Sequence, residues 1–263
     1  MNDLTARIAV SIDLAYKLSE PVPVLMQIEA ASLRDQTIVR SALIVDPIPG
    51  FRRIAAHGGV GERIWLLPQS HLEARYTAEV AISRTTSDLE NLPADDLQWL
   101  PSEAVEYIFP SRYCPVDTLH AAAIDMFGHL SGGAAVAAVR DWIGGHLSYV
   151  PGSSHGGTTA LDTFHAREGV CRDYAHLLIA LSRVLGIPAR MVSALAPGVN
   201  PPDFHAMAQV WLKGAWHLVD ATGMADPSQT AIIGVGRDAS DVAFLTIFGS
   251  ATLERQSVEV TLL

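Results

Sequence analysis

Apolar and polar positions alternate along the N-terminal third of the chain. In Arg7-Ile8-Ala9-Val10-Ser11-Ile12-Asp13-Leu14 every second side chain is apolar, the period of a strand with one buried face. Val22 to Ile28, Thr37 to Val45, Glu62 to Leu67 and Ala74 to Ile82 are further short runs rich in β-branched residues. Pro21, Pro23, Pro47, Pro49, Gly50, Gly58, Gly59 and Pro68 fall between them, and short strands separated by such turn chemistry predict a β-sandwich. From Asp88 to Pro115 acidic residues mix with Pro93, Pro101 and Pro110, which reads as a connecting segment. The period then changes to three and four. Asp117 to Leu130 and Ser131 to Leu147 predict two helices, the second capped by Ser131. Leu177, Leu178, Leu181, Val184 and Leu185 form the best-defined stripe, predicting a helix from about Cys171 to Leu185 that ends at Gly186 before Pro188. Ala189 to Leu195 reads as a strand, Phe204 to Leu212 and Ala215 to Ala221 as a hairpin, and Val242 to Ile247 and Val258 to Leu262 as late strands. The expected architecture is α+β: a β-sandwich over residues 1–95, then a second unit over residues 96–263 that includes the connecting segment.

Composition narrows the class of protein. The chain has 263 residues, 49% hydrophobic and 17% charged, which excludes a disordered polymer. The formal net charge is −10, with 9 basic and 13 acidic residues in 1–100 and 9 and 15 in 101–263. Neither half offers the positive field that nucleic acid or an anionic membrane requires. The first residues, Met1 to Arg7, show no basic start followed by an apolar run, so no secretory signal is read there. Cys114 and Cys171 lack metal-type spacing and read as free thiols in a reducing compartment. A soluble cytoplasmic protein without cofactor or metal is the expectation.

Cys171 stands where the strongest helix begins. Unpaired backbone N–H groups at a helix N-terminus carry partial positive charge, and thiols placed there ionise more readily. The hairpin supplies what a nucleophilic thiol needs. If Lys213-Gly214 is a two-residue turn, paired residue numbers sum so that Trp211 faces Trp216 and Met207 faces Asp220. Met207, His205, Asp220 and Thr222 then share one face, with His205 and Asp220 as diagonal neighbours. A three-residue loop would turn Asp220 to the other face. Cys171 as nucleophile, His205 as base and then acid, and Asp220 as orienter make a complete acyl-transfer set, with the Cys171 backbone N–H in the oxyanion hole.

Gly169-Val170-Cys171-Arg172-Asp173-Tyr174-Ala175-His176-Leu177 and Leu185-Gly186-Ile187-Pro188-Ala189-Arg190 resemble the nucleophile segment of the bacterial transglutaminase-like superfamily. Asp203-Phe204-His205-Ala206 and His217-Leu218-Val219-Asp220-Ala221-Thr222-Gly223 are similar to that family's His and Asp blocks. Pro110-Ser111-Arg112-Tyr113, Tyr149-Val150-Pro151-Gly152-Ser153 and the segment Gly236 to Val242 match its branch with a β-rich N-terminal region. The resemblance spans about residues 105–250, and the first 90 residues share it in character alone. It implies a papain-like core, the Cys helix packed on an antiparallel sheet that bears His and Asp. The implied activity is that of a cysteine protease, an amidase or a transglutaminase on a peptide or protein amide, with hydrolysis expected ahead of crosslinking. Inactive relatives exist, so a binding or scaffold module is the alternative. Where the family usually has Trp two residues after the histidine and often Glu two further on, this chain has Met207 and Gln209. The expected consequence is a reshaped site wall.

Trp142, Tyr149, His155, Thr158 and Thr159 are the candidates for a side-chain donor in the oxyanion hole, and the sequence leaves the choice open. His146, His155 and His165 lack the spacing of a zinc site. His176 lies roughly 140° round the helix from Cys171 and is expected in the core. Arg172 and Asp173 read as support for the first helical turn, Arg237, Asp238 and Asp241 as ties on a late loop, and Cys114 as inert.

Overall fold

The computed structural model describes residues 5–46 and 50–263. The turn read at Pro47 and Pro49, and residues Met1 to Leu4, lie outside the described residues. Six strands come first: β1 (Ala6–Leu18), β2 (Val24–Met26), β3 (Gln36–Asp46), β4 (Arg52–Ala55), β5 (Glu62–Leu66) and β6 (His71–Ile82). A short turn of helix, α1 (Ser102–Val105), precedes α2 (Val116–Phe127) and α3 (Gly132–His146). Then follow β7 (Ser148–Tyr149), α4 (Ala160–Ala166), β8 (Glu168–Gly169) and α5 (Cys171–Val184). The chain ends with β9 (Ala189–Leu195), β10 (His205–Leu212), β11 (Ala215–Val219), β12 (Ala231–Gly236), α6 (Ala239–Val242), β13 (Leu245–Ile247) and β14 (Ala251–Leu262).

The alternating N-terminal segments form a sandwich of two four-stranded sheets, ordered β14-β1-β6-β3 and β13-β2-β5-β4. Ile8, Ile12 and Leu14 of β1 point inward with Tyr76 and Val80 of β6 and meet Val24, Met26 and Ile64 of the facing sheet. Each such side chain contributes on the order of 1.5–3 kcal/mol by leaving water. The sandwich is completed from the far end of the chain. Residues 245–262, expected in the second unit, instead pair with the first: β13 with β2 and β14 with β1, both antiparallel. In β14 only Val258 is buried, so its apolar period is too weak to predict the whole strand. The expected strand from Val242 begins only at Leu245, because Asp238 accepts a hydrogen bond from the Ser240 N–H (2.9 Å) and starts α6.

The second sheet, β11-β10-β9-β12, is antiparallel throughout and carries α5 on one face. Leu177, Leu178 and Leu181 of α5 share a core with Ala208, Val210 and Leu212 of β10, and α2, α3 and α4 close the helix's other sides. α5 is consequently buried from Asp173 to Arg183, the position of a central helix rather than a surface one. Ser131 stands at the N-cap of α3 as expected, although its side chain makes no capping bond. The two units share structure. Leu195, Ala231 and Ile233 enter the sandwich core, and the buried Gln36 side chain accepts from the Ile232 N–H (2.7 Å) while donating to the Ile232 carbonyl (2.8 Å). Among the described residues, no single helix is long and apolar enough to cross a membrane.

Candidate active site

Cys171 is the first residue of α5 and is partly exposed. The segment before it is fixed by a two-residue parallel ladder in which Tyr149 pairs with Gly169, while the Val150 N–H donates to the Gly169 carbonyl (3.0 Å). Gly169 is needed for close approach: a Cβ there would lie 2.7 Å from the Cβ of Asp173. The buried Asp173 carboxylate accepts from the Val170 N–H (2.9 Å) and the Ser154 hydroxyl (3.0 Å), which holds the first turn and ties it to the loop upstream. Arg172 completes the clamp by donating to the His155 carbonyl (2.9 Å) and to Ser154. The supporting role read for Arg172 and Asp173 is thus the one they occupy.

The β10–β11 hairpin has the two-residue turn, with Lys213 at φ 51° and Gly214 at φ 72°, the left-handed pair that matches strand twist. Its register is the expected one, Trp211 opposite Trp216 and Ala208 opposite Val219. His205 and Asp220 therefore come together, Nε2 to Oδ2 at 3.0 Å, both buried. The ring's second nitrogen, Nδ1, is buried without a hydrogen-bond partner, and Cys171 lines the same cleft as His205. Asp220 is held in turn: Oδ1 accepts from the Thr222 N–H (2.9 Å) and hydroxyl (2.8 Å), and Oδ2 from the Ala225 N–H (2.9 Å).

These contacts set the charges. Burial works against the His205 imidazolium, but its hydrogen bond to Asp220 and the charges of Asp220 and Cys171 outweigh it and raise the ring to about 9. Burial likewise opposes the Asp220 carboxylate, yet His205 and Thr222 hold it below the usual carboxylate range. Elsewhere burial dominates. It pushes the Cys114 thiol up to about 12 and His176 down to about 3. Fully buried, His176 stacks on Tyr113 at 5.0 Å and accepts from the Ala239 N–H at 3.1 Å. His176 is core, as read, and Cys114, read as inert, is buried as well. Arg237 pairs with Asp241 at 2.9 Å, and Asp238 accepts from the Tyr113 N–H at 3.0 Å, so the late loop is tied to the segment around Tyr113.

Cys171 and His205 line one cleft of about 670 Å³, with Arg112 and Arg172 among its polar residues and Phe204 and Phe244 in its apolar wall. The two phenyl rings stack at 4.4 Å and pack against the sandwich core, so both units build the cleft. Met207 does not reshape that wall. It lies two residues deeper along β10, fully buried with Val192, Leu218 and Val235, and is absent from the cleft lining. Gln209 accepts from Arg190 (2.9 Å), whose guanidinium lies 4.0 Å over the Trp216 ring. Thr222 and Ala225 were outside the set of three read from sequence. The signal for Thr222 was its place two residues after Asp220, the spacing at which an aspartate bonds a following N–H in a turn. Among the described residues no group of three or more His, Cys, Asp or Glu side chains is placed to hold a metal ion.

Residues 125–221, which include Cys171, His205 and Asp220, match the Transglutaminase-like superfamily. The Mycobacterium leprae protein ML0607 is 33% identical over 191 residues, covering 65% of this chain and 68% of that one. Rv2569c of Mycobacterium tuberculosis is 34% identical over 111 residues, covering 36% of this chain and 35% of that one. Among solved structures, a candidate cysteine protease of Cytophaga hutchinsonii is 33% identical and superposes with a TM-score of 0.92 over 98% of this chain and 91% of its own.

Proposed function

The chain belongs to the transglutaminase-like superfamily, and from that premise we propose that it is a cysteine-dependent enzyme transferring an acyl group from a peptide or glutamine-type amide to water. One observation carries the reading: His205 lines the same cleft as Cys171, and its Nε2 is bonded to the Asp220 carboxylate at 3.0 Å. An imidazolium that persists to about pH 9 is a proton donor for the departing nitrogen. In the proposed reaction the Cys171 sulfur bonds to the carbonyl carbon, and the C=O π pair moves to oxygen. Collapse of that intermediate breaks the C–N bond, and His205 gives its proton to the departing nitrogen. Water, deprotonated by His205, then attacks the thioester, releasing the carboxylic acid and restoring the thiol. Asp220 keeps the imidazole oriented and stabilises its charged form. That the Cytophaga hutchinsonii relative is described as a candidate cysteine protease favours water over an amine as acceptor.

The test is incubation of the full chain with a mixture of unstructured peptides plus a fluorescent primary amine, wild type beside Cys171→Ala. New peptide termini or released ammonia, lost in the variant, are expected. Incorporation of the amine in place of hydrolysis would make it a transamidase, and no Cys171-dependent product of either kind would refute the enzyme reading.

A further inference from the structure

Two arginines line the cleft that holds Cys171 and His205, and they are held differently. Arg172 is committed to structure: it donates to the His155 carbonyl (2.9 Å), and its charge faces the buried Asp173 carboxylate at 3.7 Å. The Arg112 guanidinium lies 5.0 Å over the Tyr113 ring and, among the described residues, has no ion-pair or hydrogen-bond partner. The carboxylate on the same lining, Asp203, is itself engaged. Its Oδ1 accepts from the Phe204 N–H (2.7 Å) and from the Gln256 amide (2.7 Å).

The turn that carries Arg112 is tied down on every side. The Ser111 N–H donates to the Cys114 carbonyl (3.2 Å) and the Cys114 N–H to the Ser111 carbonyl (3.1 Å), which closes the turn. The buried Arg183 side chain donates to the Phe109 carbonyl (3.0 Å) and the Ser111 hydroxyl (3.0 Å). Tyr113 also lines the cleft; its hydroxyl donates to the Gly156 carbonyl (2.8 Å) and its ring stacks on His176 of α5 at 5.0 Å. The ring that Arg112 covers is thus anchored to the helix that begins at Cys171. A guanidinium stacked on a fixed ring loses little freedom on binding, and its fork of N–H groups matches the two oxygens of a carboxylate. In a chain of net charge −10, an acidic ligand is repelled at long range, so an unpaired cation on the cleft lining is the group that selects for one.

We propose that Arg112 is a specificity-determining residue: the substrate of the Cys171 site carries a carboxylate, from an acidic side chain or a free C-terminus, that Arg112 binds away from the reacting amide. This assignment deepens the acyl-transfer reading of the site and rests on it. Arg112 makes and breaks no covalent bond. Its contact is the same before and during reaction, so its loss raises KM and leaves kcat nearly unchanged.

The experiment reads the carboxylate preference at the Cys171 sulfur without requiring turnover. Full-length wild type, Arg112→Gln and Arg112→Glu are alkylated at low salt with three probes, and modification of Cys171 is followed by mass spectrometry. N-iodoacetyl-glutamic acid α-amide carries a side-chain carboxylate, N-iodoacetyl-glutamine a terminal one, and N-iodoacetyl-glutamine amide neither. Each rate is divided by that of the same probe with β-mercaptoethanol. Wild type should favour a carboxylate probe over the neutral one by about ten-fold, and the probe favoured identifies the source. Arg112→Gln should bring the ratio within about two-fold of unity, and Arg112→Glu below it. Iodoacetamide should alkylate Cys171 in both variants within about two-fold of wild type, which reports a folded site. A wild-type ratio near unity, or a preference that survives Arg112→Gln, would overturn the assignment. So would a parallel fall in iodoacetamide reaction, which would make Arg112 a support of the thiol. Because alkylation needs no acyl transfer, the two failures are distinguishable. Cys171-dependent cleavage of peptides with no Arg112-dependent preference refutes the role of Arg112 alone. An Arg112-dependent preference with no Cys171-dependent product from any peptide refutes the enzyme reading and leaves Arg112 as the binder of a carboxylate ligand.

Discussion

Asp220 and Cys171 both favour the charged form of His205, and that has consequences beyond chemistry. Its pKa is raised from 6.5 to about 9, so its contribution to stability is complete below about pH 6.5 and is lost as pH rises through about 9. Asp220 is depressed, so its contribution is present above about pH 4, the unfolded value, and is lost as acid takes the pH below it. Urea unfolding of wild type should therefore lose on the order of 3 kcal/mol between about pH 6.5 and pH 9.5, a loss that Asp220→Asn should largely abolish. The same variant should lower acyl transfer by about 10³-fold or more, since its amide can neither stabilise the imidazolium nor fix the tautomer. An unchanged rate would show that Asp220 is not the orienter. This constellation was legible in sequence because the Lys213-Gly214 turn fixes the hairpin register, and one residue more would have turned Asp220 away. Its supports were not. The place of Tyr149 depends on a two-residue ladder, and the bond from Ala225 to Asp220 on the path of a loop, neither of which leaves an apolar period to read.

The α5 helix shows what periodicity reveals and what it omits. Its stripe of leucines, its stop at Gly186 and its start at Cys171 were all readable, because a buried helix face and a left-handed stop leave local marks. The devices that aim its first turn leave fewer. Gly169 makes room for Asp173, and Asp173 accepts the Val170 N–H that an unsupported helix start would leave unpaired. Gly169→Ala should cost about 1–3 kcal/mol by overpacking against Asp173 and should slow Cys171 alkylation together with the stability loss. Thermal unfolding and alkylation of the same sample check this; a variant as stable as wild type would show that the turn has slack. The strand β12 escaped notice because Gly234 and Gly236 interrupt its apolar run, and β4 because Arg52-Arg53-Ile54-Ala55 is too short and too basic to alternate.

At the scale of the molecule, sequence and structure part over where one unit ends. Composition changes near residue 95, yet the chain returns to the sandwich with β13 and β14, and Leu195, Ala231 and Ile233 lie in the sandwich core. A fragment of residues 96–263 should therefore fail to unfold cooperatively, because it exposes those side chains and leaves β14 without its partner β1. A sharp calorimetric transition from that fragment would contradict the shared core. Phe204 and Phe244 carry the coupling to the cleft, packing against the sandwich core and lining the space beside Cys171. The claim on which the account rests is that Cys171 and His205 act as a pair, and the pH dependence of iodoacetamide alkylation tests it most directly, read by mass spectrometry at Cys171 and Cys114 in wild type and His205→Ala. Rapid reaction at Cys171 well below about pH 8, lost in His205→Ala, with Cys114 silent in its buried position, is the predicted result. Cys171 reacting no faster than an ordinary exposed thiol, and indifferent to loss of His205, would contradict it.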